Sequence, residues 1–493
     1  MGGIILLALA VAFLVSSISY LSVSKQQRGI LLSRLSLHRR RSSGASTPPR
    51  FLSQEKKDSS NSSSPDYVDT FPPSRRFILD EVRPDIAEKS KYSLNYLSQS
   101  AGCQQTPLAI DANFSTAEGT AFTPTGFSVE EVRSLGDFPD YAALSGVPLP
   151  KPYPEFDVKR AKAKPYRPLR WAYHQTMSFS KMDSDWWLEL ENTYVNRVKQ
   201  RQDLFAKHGK RVLDSLPGSE LACKELMEMC LEFLCARYPH YFRLDKCEMI
   251  FHNDILRTQS NLKQEHPLHT ILNNIPEDFG ITLRDDKTGY YYLRAGVICS
   301  SLGWDLGVKL GMRLDEIHQP IPDYKEKMRF SMDRYFAKKP TDKAIQRGSW
   351  GLEVDEPLYM PAGDPHEKYR EVQDPSLDIS RMHLRVDWQT LRRLPLSGAI
   401  VFNFKALFTP VEAFREEPYI PSLLLRILKN GKKNLMEYKN TWHTEHVVVP
   451  ALEAYRKEQI QKGMIPENWD EHTLEEYPMY PRWEKRWHLE QGF

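Results

Sequence analysis

The stretch DWQTLRRLPLSGAIVFNFKALFTP, residues 387–410, decides the fold of this chain. After a turn at Ser397-Gly398, apolar side chains occupy every second position, namely Ile400, Phe402, Phe404, Ala406 and Phe408. Because successive side chains of a strand point to opposite faces, this period of two predicts a half-buried β-strand. Before the turn, Asp387 is a residue type that caps helices and Pro395 is one that ends them, so we predict a short helix there.

The residues before this strand contain three segments of helical periodicity, which are 183–209, 219–238 and 323–339. Residues 281–301 contain two β-prone runs, and the Asp-Asp and Gly residues between the runs predict a hairpin. Helices that are interspersed with hairpin-linked strands are typical of an α+β domain with a mainly antiparallel sheet, and we predict that fold class.

The composition narrows the functional classes. The chain has 493 residues, of which 41% are apolar and 27% charged, and its net charge is +3. We expect a sizeable core and no nucleic-acid partner, because the chain lacks the cationic excess that nucleic-acid binding requires.

The six cysteines form no Cys-x-x-Cys pair, and Cys223 and Cys230 are one heptad apart, so we predict buried core thiols. Dinucleotide-binding, P-loop, zinc-protease and serine-hydrolase motifs are absent from the sequence.

Residues 4–23 carry no charge and are numerous enough to span a bilayer as one helix. No Lys or Arg precedes them, whereas seven such residues follow before the first acidic residue, Glu55. The positive-inside rule therefore predicts a single-pass transmembrane anchor over residues 1–24, with the main domain in the cytosol. A cleaved signal peptide is the alternative, although its usual basic region is missing here.

The remainder of the chain divides by composition. Residues 25–75 are basic and rich in Ser and Pro, which predicts a disordered linker. We expect an N-terminal extension over residues 76–169, the main domain over 170–455 and an aromatic C-terminal tail over 456–493.

His318 is the first candidate for a binding residue. It stands in the motif IHQPIP, residues 317–322, where the two prolines favour extended backbone around it. Such a rigid mount would suit an axial haem ligand, in which Nε2 binds iron and Nδ1–H needs an acceptor. On the residues alone, an ordinary loop or structural role stays open as the alternative.

Five further residues are candidates for a site. Arg385, Arg392 and Arg393 flank the predicted short helix, and a guanidinium can hold a carboxylate or phosphate with two hydrogen bonds. A solvated helix face or internal ion pairs are the alternative for these three. Arg347 and Trp350 adjoin a probable strand, where stacking or packing is the alternative.

A possible metal pair deserves separate mention. His443 and His446 are three residues apart and could share one helix face. Because no third ligand is evident in the sequence, we predict two surface histidines rather than a metal site.

Several segments in a fixed order resemble a known family. They are residues 298–339 (ICSSLGWDLGVKLGMRLDEIHQPIPDYKEKMRFSMDRYFAKK), 346–352 (QRGSWGL) and 384–412 (LRVDWQTLRRLPLSGAIVFNFKALFTPVE). Together they resemble the family of haem-dependent oxidative N-demethylase alpha-subunit-like proteins, which is common in fungi. Residues 173–201 resemble the opening helix of that family, so the likeness runs from about residue 170 to residue 455.

The resemblance implies a PAS-like antiparallel sheet with flanking helices, which encloses a haem b. It also implies that haem and O2 remove a methyl group from a small secondary amine such as dimethylamine and release formaldehyde. Electrons would come from NADPH through a separate flavin and iron–sulfur reductase, because this chain has no signature for those carriers. His318 would be the ligand of the haem iron. Arg385, Arg392 and Arg393 would bind the haem propionates or form ion pairs around them.

Three places differ from the usual pattern of that family. Ser300-Ser301 stand where Phe-Pro is usual, Ser349 replaces an Asn, and Asp387-Trp388 stand where Glu or His often occurs. These differences affect the polarity of the expected haem pocket, so the amine substrate is not carried over from the resemblance. Two alternatives to a membrane-anchored enzyme stay open, namely a haem- or ligand-binding PAS-like sensor without turnover and a scaffold that has lost haem.

Overall fold

An antiparallel sheet of seven strands forms the centre of the fold. The computed structural model describes residues 71–75, 106–173 and 176–492. These residues form ten strands: β1 Ser180–Lys181, β2 Leu213–Ser215, β3 Phe242–Asp245, β4 Ile250–Asn253, β5 Thr258–Asn261, β6 Asp278–Arg284, β7 Tyr291–Val297, β8 Ile345–Val354, β9 Met382–Arg393 and β10 Ile400–Pro410. The central sheet has the order β1-β8-β9-β10-β6-β7-β2, and β3-β4-β5 form a second, smaller sheet.

Twelve α-helices complete the part of the chain that the structure describes. They are α1 Val129–Ser134, α2 Tyr141–Ser145, α3 Tyr194–His208, α4 Glu220–Arg237, α5 Pro267–Asn274, α6 Leu306–Lys309, α7 Leu314–Ile317, α8 Arg329–Lys338, α9 Ile420–Asn430, α10 Lys433–Lys439, α11 Trp442–Gln461 and α12 Trp483–Gln491. All sheet pairings are antiparallel. The predicted α+β class is therefore confirmed.

The segment before the predicted turn is a strand, so the short helix predicted at residues 387–394 is wrong. β9 pairs with β10 along the length of β10, from Arg393 opposite Ile400 to His383 opposite Pro410. β9 itself alternates with period two, and the residues on one of its faces are strand formers: Leu384, Val386, Trp388 and Thr390. Pairing with β10 thus outweighs the helix-capping tendency of Asp387.

The predicted turn and the predicted strand β10 are confirmed. Gly398 adopts φ +69°, a left-handed conformation that glycine takes without steric cost. β10 is buried on both faces rather than on one, because other elements cover both sides of the sheet. The buried polar side chains of β10 have hydrogen-bond partners. Asn403 Nδ2 donates to the Glu277 carboxylate, and Lys405 Nζ donates to the Glu189 carbonyl oxygen at 2.8 Å.

The other predicted elements hold with one correction. α4, the hairpin β6–β7 and α8 lie where the sequence predicted them, and a π-helical turn, Tyr324–Met328, precedes α8. The helix predicted from residue 183 begins instead at Tyr194. Asp183 caps only a short 3₁₀ turn. The chain after that turn is held outside the helix, where Glu189 N–H donates to Glu277 Oε1 at 2.9 Å.

The two faces of the central sheet have different covers. Face A carries Val401 and Leu407, and α3, α4, α9 and α11 pack against it. Face B carries Phe402 and Phe404, and the segment between β7 and β8, which contains α6, α7 and α8, packs against it. Side chains of neighbouring strands that lie opposite one another share a face, so the strand register assigns every other residue to face A or B.

Residues outside the predicted main domain belong to the same hydrophobic core. Phe127, Tyr141 and Phe156, from the predicted extension, are buried beside α4. Leu474 and Tyr480, from the predicted tail, are buried beside α9 and α11. The predicted domain boundaries themselves stay predictions.

The anchor predicted at residues 1–24 lies outside the described residues, as does the predicted linker up to residue 70. Among the helices that the structure does describe, none is both long enough and apolar enough to cross a membrane.

The prediction of buried core thiols is confirmed for Cys223 and Cys230. Both are free, and both are fully buried in α4. Burial raises the pKa of the Cys223 thiol to about 12, so this thiol is protonated and unreactive at neutral pH.

Candidate functional site

Several side chains in the middle of face B are only partly covered, and we infer from them a gap in the cover, which we call the cleft. Arg347, Gln389 and Phe404 lie opposite one another on β8, β9 and β10, and Phe402 lies one row away. Arg347, Gln389 and Phe402 are only partly buried, although none of these strands is an edge strand. Side chains at the centre of a covered sheet are normally buried, so their exposure marks a concave space between face B and its cover.

The cover of this cleft is fixed by apolar contacts from α7. Leu314 belongs to the cluster formed by α8 and the end of β10. Ile317 packs with Phe402 and Phe404 on face B. His318, the next residue, therefore stands beside the cleft.

The imidazole of His318 is held in one orientation. Its Nδ1 lies 2.6 Å from the Leu314 carbonyl oxygen, and because that oxygen can only accept, Nδ1 carries the proton. The ring also stacks against Tyr324, with centroids 5.3 Å apart and planes 14° from parallel. Nε2 keeps its lone pair, and it has no hydrogen-bond partner among the described residues.

The rigidity of this mount has a source other than the one the sequence suggested. His318 ends α7 with φ −97° and ψ 3°, so its backbone turns and is not extended. The Nδ1 hydrogen bond and the Tyr324 ring, not the prolines, fix the side chain. Burial lowers the pKa of His318 to about 4, and the imidazole is therefore neutral at physiological pH, as a metal ligand must be.

Arg347 presents a cation to the same cleft. The charges of Arg347 and Lys309 both act on His318 and lower its pKa further. Within the described part of the chain, Arg347 has no carboxylate partner, and its buried Nε makes no hydrogen bond. Three tyrosines lie close enough to influence the pKa of Arg347 electrostatically, namely Tyr173, Tyr438 and Tyr477. Burial lowers the pKa of Arg347, but a guanidinium remains charged at neutral pH.

Two lysines add to the positive character of the cleft. Lys309 lies over the Trp304 ring, with Nζ 4.1 Å from the centroid, and burial lowers its pKa to about 8. Lys439 Nζ donates to the Trp350 carbonyl oxygen. Burial, with a smaller effect of Arg347, lowers the pKa of Lys439 to about 7. The site thus combines a neutral imidazole, an apolar floor and several cations.

Two of the predicted arginines serve the fold. Arg385 donates to the carbonyl oxygens of Ser300 and Pro357 and pairs with Asp387 at 2.9 Å. Arg393 is fully buried and donates to the Tyr291 hydroxyl and to three carbonyl oxygens, which belong to Phe336, Lys339 and Gly398. Their donor groups are occupied, so the structure does not place either of them as a free anion ligand in the cleft.

The other two predicted residues lie on face A, away from His318. Arg392 is opposite Val401 and stacks on Trp187, with its guanidinium carbon 4.2 Å from the ring centroid. Trp350 is buried among the side chains of the C-terminal helices. Of the six residues predicted for the site, the structure therefore brings only His318 and Arg347 together at the cleft.

Each histidine of the pair in α11 is hydrogen-bonded through one ring nitrogen to a backbone carbonyl oxygen. His443 Nδ1 lies 2.7 Å from the Asn440 carbonyl oxygen, and His446 Nε2 lies 2.8 Å from that of Asp374. No cluster of metal-ligating side chains occurs among the described residues. The expectation of two surface histidines is wrong for His443, which is buried because α11 packs on the core.

Two of the departures from the family pattern have structural roles. Ser300 Oγ donates to Asp278 Oδ2 at 2.5 Å, and Ser301 Oγ donates to the Trp304 carbonyl oxygen at 2.6 Å. Both serines are buried. Ser349 and Asp387 lie opposite each other on β8 and β9, so both of these departures are on face B, where the cleft lies.

Sequence reasoning missed the lysines and tyrosines of this site. Lys309 and Lys439 come from α6 and α10, which are far apart in the chain, and only folding brings Lys309 near His318 and Lys439 near Arg347. The sequence held one weak signal, because Lys309 lies in the same segment, residues 298–339, that resembles the family and contains His318.

The protein class follows from a comparison of the sequence with known families. The family model described as "Haem-dependent oxidative N-demethylase, alpha subunit-like" matches residues 178–449, which is more than half of the 493-residue chain. The chain therefore belongs to this family. The matched span includes His318, Arg347 and all strands of the central sheet.

Proposed function

We propose that this chain is the haem-binding subunit of an oxidative N-demethylase and that His318 is the axial ligand of the iron. One observation carries the proposal: a neutral imidazole, fixed through Nδ1–H to the Leu314 carbonyl oxygen, stands beside an apolar cleft with Nε2 unbonded. A hydrogen bond from Nδ1 to a carbonyl is the usual support for a histidine that binds metal through Nε2.

The residues of the cleft fit a haem b group. Phe402 and the side chain of Ile317 offer apolar surface to a porphyrin. Arg347 and Lys309, which have no acidic partner in the described part of the chain, are suited to the two propionate carboxylates. The predicted PAS-like fold is supported by the helical insertion between β7 and β8, which lies over face B and carries His318.

Bound haem would supply the redox chemistry with O2 that oxidises an N-methyl group. The residues of this chain would position the substrate and set its charge. Asp387, the carboxylate nearest the cleft, is paired with Arg385 at 2.9 Å. Cations without acidic partners disfavour an ammonium ion, so we expect a secondary amine to be bound in its uncharged form.

The electron supply and the membrane anchor belong to the same proposal. The family description names an alpha subunit, which supports a partner subunit. We propose that NADPH supplies electrons through a separate flavin and iron–sulfur reductase. We also propose that residues 1–24 anchor the chain, with the main domain in the cytosol. Carbonate extraction should leave the full chain in the membrane pellet, whereas a chain that starts after residue 24 should be released.

Visible spectroscopy tests the haem site. The full chain, supplemented with haem, should show a Soret band that shifts with dithionite and carbon monoxide. His318→Ala should lose the ligand-field spectrum of the wild type, and added imidazole should restore it. His446→Ala is the matched control, because its ring hydrogen bonds to a carbonyl oxygen outside the cleft. A wild-type protein without a Soret band, or an unchanged spectrum in His318→Ala, contradicts the haem assignment or the ligand assignment, respectively.

Turnover separates the enzyme from its alternatives. With NADPH, a reductase and dimethylamine, the haem-loaded protein should release formaldehyde. Haem binding without formaldehyde across a panel of methylamines would favour a non-catalytic sensor, and absence of haem binding would favour a scaffold.

A further inference from the structure

Face A contains a second recess, separated from the candidate haem site by the sheet. It lies between the start of α2, the loop after α2, α4 and β9, and its volume is about 330 Å³ including its open mouth. Apolar groups form most of its wall: Tyr141, Val147, Pro148, Trp187 and Phe233. One cation, Arg392, lies among them.

Arg392 is buried without a counter-charge. Only 6% of the residue is exposed, its Nε is buried without a hydrogen bond, and no ion pair to another described residue compensates it. Its guanidinium stacks on Trp187, whose buried Nε1–H is also unbonded within the described ranges. The recess therefore holds two kinds of hydrogen-bond donor, the guanidinium and the indole N–H, and neither is hydrogen-bonded to another described residue.

The acidic group nearest the recess is already used. Glu232 also lines the recess, but its carboxylate pairs with Lys246 at 2.9 Å. The buried hydroxyl of Tyr141 donates to Glu228 at 2.6 Å. Neither group satisfies the guanidinium of Arg392.

Three other buried arginines of this fold are compensated. Arg167 pairs with Glu417 at 2.6 Å, and Arg201 pairs with Asp278. Arg393, the neighbour of Arg392 on β9, donates to four oxygen atoms. A buried charge without compensation is strongly unfavourable, so the state of Arg392, which only Arg347 on face B shares among the arginines discussed above, points to an absent anion. Burial lowers the pKa of Arg392 to about 10, and the group is still cationic at neutral pH.

We propose that Arg392 and Trp187 form a binding site for a small organic carboxylate whose apolar part packs against the wall of the recess. The guanidinium fork would hold the two carboxylate oxygens, and the indole N–H would supply a further donor. The recess is small and partly open to solvent, so it suits a ligand of only a few heavy atoms. The site is independent of haem and of the amine substrate.

Thermal and calorimetric titrations test this proposal on the full chain. Formate, acetate and butyrate, each compared with sodium chloride at equal ionic strength, should raise the Tm by a few degrees and should bind in calorimetry. Arg392→Met should weaken carboxylate binding at least tenfold and abolish the rise in Tm, while Arg392→Lys should weaken it less. Without carboxylate, Arg392→Met should be as stable as the wild type or more stable, since it removes a buried uncompensated charge.

Arg426→Met is the matched control. Arg426 also lies over an indole, 5.0 Å from the centroid of Trp171, but it is exposed on α9. Its substitution should leave carboxylate binding unchanged. Equal effects of carboxylate and chloride on the wild type, or unchanged carboxylate binding in Arg392→Met, would overturn the proposal. Neither result bears on the Soret band, so the haem proposal stands or fails separately.

Discussion

At the scale of single residues, the chemistry of the cleft depends on a histidine whose partners the sequence shows only in part. The motif around His318 predicted an imidazole held by extended, proline-bounded backbone, whereas the structure holds the ring through a hydrogen bond and a stacked tyrosine. The acceptor that fixes it, the Leu314 carbonyl, lies four residues earlier, because α7 ends at His318. A hydrogen bond across one helical turn is a local feature. The residue types alone did not show, however, that α7 ends at His318, ahead of the two prolines.

The cations around His318 could not be predicted in the same way. Arg347 and Lys309 meet at the cleft because Arg347 is on face B of the strand β8 and α6 packs against that same face. Conversely, Arg392 and Arg393 are adjacent in sequence but lie on opposite faces of a strand. Their separation follows from the strand period of two, which the incorrect helix prediction concealed.

A pH dependence follows from the depressed pKa of His318. The folded protein holds the pKa at about 4, below the ordinary value of 6.5. Between these values the unfolded chain binds a proton that the folded chain does not, so stability falls as the pH drops through this range. Without added haem, the free energy of unfolding of wild type minus that of His318→Ala should decrease by about 1–2 kcal/mol from pH 7.5 to pH 5.0.

Urea denaturation at the two pH values measures this difference. His472→Ala, an exposed histidine in the C-terminal segment, serves as the control and should show no such change. A wild-type–variant difference that is independent of pH would mean that the imidazole of His318 is hydrated in the folded state.

At the scale of elements, the hairpin β9–β10 depends on a contact from α4. Glu225 is fully buried, and its two carboxylate oxygens accept the backbone N–H groups of Leu396 at 2.6 Å and Ser397 at 2.8 Å. This clamp holds the turn that the sequence predicted correctly. The sequence did not predict the clamp, since 171 residues separate Glu225 from Leu396.

The clamp should be sensitive to a conservative change. Glu225→Gln replaces one acceptor oxygen by an NH2 group, which leaves one buried backbone N–H without an acceptor. We expect a loss of about 1–3 kcal/mol in the free energy of unfolding, measured by urea denaturation at pH 8. Glu437→Gln, on the exposed side of α10, should change stability by less than about 0.5 kcal/mol. Equal stability of both variants would show that the turn holds without the clamp.

The same hairpin explains why the prediction of elements was uneven. β10 has strictly alternating apolar residues, and its strand assignment was correct. β9 contains three arginines and an Asp that could cap a helix, and these polar residues obscure its alternating pattern in the sequence. Pairing with β8 and β10 is what makes the segment a strand. Tertiary pairing overrides local propensity most easily in such mixed segments.

At the scale of the whole molecule, the fold class was accessible from the sequence and the packing of the terminal segments was not. Runs of helices and hairpins predicted an α+β fold with an antiparallel sheet, as found. The C-terminal segment, residues 456–493, was predicted only as an aromatic tail, without secondary structure assigned to it. It contains α12 instead, and Trp487 Nε1 donates to the Lys162 carbonyl oxygen at 2.7 Å.

A chain that ends after residue 462 should therefore be much less stable. It loses the buried side chains of Leu474, Tyr480 and Trp487, each of which contributes about 1.5–3 kcal/mol when fully buried. We expect the truncated chain to unfold at a Tm at least 10 °C lower or to aggregate on expression, as scored by differential scanning fluorimetry and solubility. A Tm within 2 °C of the full chain would mean that the tail packs only loosely.

The paired hairpin β9–β10 also sets a rule for recombination and engineering. Gln389 on face B and Arg392 on face A belong to one strand and are three residues apart, so the spacing between them fixes which site each one serves. A one-residue insertion between them would turn Arg392 toward the cleft on face B and empty the recess on face A, whereas a two-residue insertion would preserve both assignments. Homologous segments exchanged here should therefore keep the separation between these two residues an odd number of positions, so that each side chain stays on its own face even where the residue types differ.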